Sequence, residues 1–77
     1  MRYDDSPLAR LLRAAKDNDV DVLETLMKEG QDPNQANSFG QTALHICAIW
    51  GNVQAAHVLL NCGANMDVQN DHGMTPL

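Results

Sequence analysis

Apolar residues recur at three- and four-residue intervals in two short runs near the start of this chain. Leu8, Leu11, Leu12 and Ala15 make the first run, and Val20, Leu23, Leu26 and Met27 the second. That spacing puts each set on one face of a helix. Ser6 before Pro7 marks the start of the first helix, a capping hydroxyl followed by a residue whose fixed φ suits the first helical position. Asp17-Asn18-Asp19 breaks the pattern. Asn18 suits a left-handed turn, Asp19 is placed to cap the second helix, and Gly30 to end it. Gln31 to Phe39, with Pro33 and Asn34 as breakers, reads as a connecting turn. A third helix is expected from about Ala43 to Trp50, then a turn at Gly51-Asn52 with Asn52 as the next cap. A fourth helix is expected from about Val53 to Asn61, closed by Gly63 and followed by a second hairpin-like turn over Met66–Met74.

The pattern repeats. Gly40 and Gly73, Thr42 and Thr75, Leu44 and Leu77, and Gly30 and Gly63 stand 33 residues apart, as do Leu11 and Leu44, Ala15 and Ala48, Val20 and Val53, and Leu26 and Leu59. A fixed period of that length is the mark of a solenoid, in which a helix pair buries its apolar face only against the next pair.

Two motifs carry a resemblance. Thr42-Ala43-Leu44-His45 opens the third helix, and Leu59-Leu60-Asn61-Cys62-Gly63-Ala64 closes the fourth. The chain resembles an ankyrin-repeat protein over residues 7 to 77, with Ala43 where the family usually has Pro and Leu12 where the first repeat would have the motif His. The resemblance implies an all-α solenoid of stacked helix-turn-helix pairs joined by hairpin-like turns. It divides the chain into a lead-in (1–6), an N-terminal capping repeat (7–36) with Arg10, Arg13 and Lys16 on its polar face, a full repeat (37–69) and the start of a third (70–77). The motif at Thr75-Pro76-Leu77 has no helix after it. That leads us to expect a longer protein of which this is the N-terminal part, or a partner in a larger assembly covering the open C-terminal end.

The resemblance also implies a function, that of a protein–protein interaction module without catalytic activity. Its partner would bind at the hairpin tips and the concave inner-helix face, which here carry Ser38, Phe39, Gln41, Ile49, Trp50 and Cys62, continued by Asp71, His72 and Met74. Phe39 on the adjoining turn and Trp50 at the open end of the inner helix are expected to make one apolar patch, and the competing reading of Trp50 is a filler against the neighbouring hairpin. A second function, a structural or adaptor subunit of an assembly, is favoured by a stretch without charge. A third, inhibition of a cyclin-dependent kinase, is suggested by Asn37-Ser38-Phe39-Gly40, but those inhibitors shorten the inner helix that here runs in full from Leu44 to Trp50.

Charge and candidate chemistry change this picture little. The net charge of −5 disfavours a nucleic-acid backbone as partner. All basic residues lie at or before Lys28, and no Lys, Arg, Asp or Glu falls between Pro33 and Met66, where exposed helix faces normally carry them. No run is long enough to span a membrane, and Met1-Arg2-Tyr3-Asp4-Asp5 does not open a secretory signal. The two cysteines lie at different repeat positions, so no disulfide framework is expected and a reducing, intracellular compartment, cytoplasmic or nuclear, is. His45, Cys47, His57 and Cys62 lack the short paired spacings of zinc sites. No nucleophile–base pair or Gly-rich phosphate loop is evident, so neither enzyme nor cofactor is expected. Thr42 and His45 instead suit a reciprocal helix cap.

Two repeats without a polar C-terminal cap should be weakly stable. Chemical denaturation of the isolated chain is expected to give on the order of 5 kcal/mol or less. Extension by a further repeat should raise that value, and no gain on extension would contradict the incomplete-array expectation.

Overall fold

The computed structural model describes residues 6–67 and Gly73. Four helices follow in order: α1 (Pro7–Lys16), α2 (Val20–Lys28), α3 (Ala43–Trp50) and α4 (Val53–Asn61). Among the described residues there is no strand, only one antiparallel bridge between Ala36 and Thr42 at the base of the turn before α3. α1 packs on α2 and α3 on α4 within each pair. The pairs stack through α1 on α3 and α2 on α4. This is the all-α solenoid expected from the 33-residue period.

The period is visible in the hydrogen bonds. Asp19 N–H donates to Ala14 O and Asn52 N–H to Cys47 O, both at 2.9 Å. Gln31 N–H donates to Leu26 O at 3.2 Å and Ala64 N–H to Leu59 O at 3.0 Å. Each bond and its counterpart close the same helix end in successive pairs. At the turn inside each pair the backbone is left-handed, at Asn18 (φ 55°) and at Gly51 (φ 67°), as the local sequence predicts.

The core is built from matching positions. Leu11 and Leu44, Ala14 and Cys47, and Leu26 and Leu59 are all buried. Where matched positions differ, the difference gives the direction of stacking. Ala43 and Ala55 are buried against the first pair, while their counterparts Arg10 and Val22 are exposed. Ala15 is buried under the second pair, while its counterpart Ala48 is exposed. Small residues stand where one pair touches the other, because two helix backbones approach closely only across small side chains.

Polar contacts lock the stack. Ser6 and Asp19 cap α1 and α2 from their own N-termini, accepting N–H bonds from Ala9 at 3.2 Å and Val22 at 3.3 Å. α4 is capped differently. Asn52 occupies the cap position but makes no side-chain bond to its own helix, contrary to expectation. Asn18 of the first pair supplies that bond, its Oδ1 accepting the N–H of Ala55 at 3.0 Å while its Nδ2 donates to Gln54 Oε1 at 2.9 Å. In return, Asn52 Nδ2 donates to the carbonyls of Ala15 and Lys16, both at 2.7 Å, at the end of α1. The left-handed backbone at Asn18 brings its amide to α4, and the unpaired last carbonyls of α1 draw Asn52 away from its own helix. At the other end, Asn34 Oδ1 accepts the N–H of Asn65 at 2.7 Å, and its Nδ2 donates to Gly63 O at 3.3 Å.

Substitution separates the two tasks of Asn18. Asn18→Gly keeps the left-handed turn and loses the cap, with an expected cost of about 1 kcal/mol. Asn18→Ala loses both and should cost roughly twice as much. Urea denaturation checks this, and equal costs for the two variants would show that the turn conformation carries no energy.

Candidate functional site

The inner helix α3 is built from its cap upward. Thr42 Oγ1 accepts the N–H of His45 at 3.4 Å, and the N–H of Thr42 donates to His45 Nδ1 at 3.1 Å. This is the reciprocal cap expected from the motif. Because Nδ1 accepts a backbone N–H, the proton of the neutral ring is on Nε2. Thr42 and His45 are buried, at 1% and 3% exposure, so the imidazole is a structural piece of the helix start.

The turn before α3 is equally determined. Asn37 and Gly40 close a four-residue turn, Gly40 N–H to Asn37 O at 3.0 Å, with Gly40 left-handed at φ 76°. The side chain of Asn37 fills it: Oδ1 accepts the N–H groups of Phe39 at 2.9 Å and Gln41 at 3.0 Å, and Nδ2 donates to Gln41 Oε1 at 3.1 Å. Gln41 is therefore tied into the turn. Ser38 and Phe39 are left projecting from the tip and exposed.

At the other end of α3 the environment reverses. Its first turn is buried, while Ala48, Ile49 and Trp50 are all exposed. Ile49 is 62% exposed, Trp50 56%, and Val53 just beyond Gly51 65%. The Lys16 ammonium lies 5.2 Å from the centre of the Trp50 ring, a cation–π pair.

One expectation from sequence needs correction. Phe39 and Trp50 were to form a single apolar patch. They stand at opposite ends of α3, whose eight residues span about 12 Å. Phe39 belongs to the hairpin tip, and Trp50 groups instead with Ile49 and Val53. Val53 was not singled out from sequence, and Lys16 was read only as part of the polar face of the first repeat. The available signal for Lys16 was its register, since it is the counterpart of Ile49. Asp71, His72 and Met74 lie outside the described residues.

Among the described residues no group of three or more His, Cys, Asp or Glu could hold a metal ion. Cys47 is buried, with its thiol 3.9 Å from Ala15 O. Burial pushes that thiol up to about 11, so at neutral pH it carries almost no thiolate and is a poor nucleophile. Cys62 is free and exposed at the end of α4. Iodoacetamide should therefore alkylate Cys62 in the native protein and reach Cys47 only on denaturation. Mass spectrometry of the labelled chain reads this out; comparable native rates at both thiols would contradict the packing around Cys47.

Residues 11–77 match the family profile described as ankyrin repeats (3 copies). Among relatives, the chain is 40% identical over 72 residues to the mouse (Mus musculus) RelA-associated inhibitor, covering 94% of this chain and 9% of that protein. It is 41% identical over 63 residues to the potassium channel AKT1 of Oryza sativa subsp. indica, covering 82% of this chain and 7% of the channel. It is 46% identical over 56 residues to human (Homo sapiens) neurogenic locus notch homolog protein 1, covering 73% of this chain and 2% of that protein. The chain thus spans less than a tenth of the length of each of these relatives. What they share with it is the repeat, a protein-interaction unit found in proteins of different kinds. No described helix is long and apolar enough to cross a membrane. The period, the reciprocal Thr42–His45 cap, the stacked helix pairs and the profile match together make this chain a member of the ankyrin-repeat family.

Proposed function

We propose that this chain binds a partner protein through the hairpin tip and the inner-helix face and performs no chemistry of its own. The observation that carries this is the exposure of Phe39, Ile49, Trp50 and Val53, each more than half open to solvent, on a stretch without a single charged side chain. Ile49, Trp50 and Val53 lie at the far end of α3 and Phe39 at the hairpin tip, and exposed apolar side chains at such places suit an interaction surface. Ser38 and Gln41 flank this surface, and Asp71, His72 and Met74 are proposed to continue it along the next repeat. Residues 7–36 serve as the N-terminal cap, 37–69 as a complete repeat and 70–77 as the opening of a third. Exposed Arg10 and Val22, at positions where the second pair has buried alanines, support the capping role. The unlinked thiols support an intracellular setting.

A second reading is favoured by the uncharged surface itself. Such a face is better buried than solvated, which suits a fixed structural or adaptor subunit. Size-exclusion chromatography of the isolated chain separates the two: a soluble monomer supports a reversible binder, and self-association or precipitation supports the subunit.

Trp50→Ala tests the binding face. Loss of a half-exposed ring and its cation–π contact should cost about 1 kcal/mol of stability. The affinity for a purified partner should fall by about 2 kcal/mol or more. Denaturation and affinity are measured on the same preparations. A large stability loss with unchanged affinity per folded molecule would place Trp50 in the core and move the search to the outer-helix residues Gln54, His57 and Asn61.

A further inference from the structure

Charge is divided between the two layers of the stack. The inner helices α1 and α3 contain no acidic residue within their bounds, and α1 carries Arg10, Arg13 and Lys16. The outer helix α2 carries Asp21 and Glu24. A chain with a net charge of −5 therefore presents no negative side chain from its inner-helix layer. The carboxylates that follow α1 along the chain are Asp17 and Asp19 of the turn, and the Asp19 carboxylate accepts the Val22 N–H at the start of α2.

Lys16 is the cation of that layer closest to the exposed apolar cluster. It is exposed, it forms no ion pair with a described carboxylate, and its ammonium is held 5.2 Å from the Trp50 ring centre. An ammonium stationed on an aromatic face has lost part of its conformational freedom before any ligand arrives, which reduces the ordering cost of binding. Beside it stand Ile49 and Val53, apolar and open. Positive charge and apolar surface are thus side by side where helix pair meets helix pair.

We propose that Lys16 and Trp50 form a recognition point for an acidic side chain directly adjacent to an apolar one on an extended segment of the partner protein. The carboxylate pairs with the Lys16 ammonium, and the apolar neighbour packs on Trp50, Ile49 and Val53. This rests on the reading of the hairpin and inner-helix face as the binding surface, and it adds Lys16 as the residue that selects among partners. Electrostatic complementarity of this kind excludes wrong partners more than it adds affinity, because a basic segment meets a like charge.

The test uses the full chain and a random peptide library displayed on phage. Enriched sequences are expected to carry Asp or Glu next to Leu, Ile, Val or Phe. A synthetic peptide of that kind should lose up to about fivefold in affinity against Lys16→Gln, lose more against Lys16→Glu, weaken as salt rises, and fail to bind Trp50→Ala. Selection repeated on Lys16→Glu should favour Lys or Arg in place of the acid. Circular dichroism confirms that each variant is folded. Peptides that need Trp50 but lack an acid, or ignore both Lys16 variants, overturn this inference and leave the binding face standing. Peptides insensitive to both Trp50→Ala and Phe39→Ala, or no enrichment at all, overturn the inference together with the face.

Discussion

A helix of eight to ten residues has little interior. Each of the four helices here is that short, and any α-helix leaves four N–H and four C=O groups without partners inside it. In such elements the ends hold about as many backbone groups as the middle, so capping decides whether they exist. Three helix starts are capped from within, by Ser6, Asp19 and Thr42. The fourth depends on Asn18 of the neighbouring pair, and the end of α1 depends on Asn52 in return. Separating the pairs would uncap two helices as well as expose the leucine core. Stacking and helix formation are therefore a single event, which is the physical root of nearest-neighbour cooperativity in repeat arrays.

The same distinction explains what could be read in advance. The bounds of α3 and α4 were readable because their signals are local: a Thr three residues before a His, a Gly at each closing turn, and apolar residues at helical spacing. The left-handed turn at Asn18 followed from its register with Gly51. The destination of the Asn52 amide did not, because it bonds to backbone 36 and 37 residues away, and a residue pattern does not say which of two nearby unpaired helix ends a side chain will choose. The contact of Lys16 escaped notice for the same reason, because its ammonium lies over Trp50 of the next pair. The grouping of Phe39 with Trp50 failed because it counted both as residues of one surface and ignored the length of the helix between them.

Burial at matched positions shows how few side chains separate an open helix-pair face from a packed one. Arg10 against Ala43 and Val22 against Ala55 are the main substitutions between an exposed face and a packed one. Beneath them Leu11 and Leu44, and Leu26 and Leu59, are the same in both pairs, whereas buried Leu23 is matched by the smaller Ala56. Stability thus resides in the repeated leucine positions, while identity at the surface is written in a few side chains around them. The uncharged stretch between Pro33 and Met66 carries this furthest, since the polar side chains it exposes include Ser38, Gln54, His57 and Asn61 and no Lys, Arg, Asp or Glu.

On the proposed binding face, the length of α3 sets a minimum reach for a partner segment that is to touch both of its ends. An extended chain advances at most about 3.3–3.6 Å per residue, so a segment must run for roughly four residues to touch both ends of α3. A shorter ligand, or a single side chain, engages one end only and gives up the other. α3 therefore acts as a ruler: because its length is set by the Thr42 cap and the left-handed Gly51, the spacing between its two ends is a constant of the fold, and on the proposed face selectivity would rest on that distance as much as on the chemistry at either end.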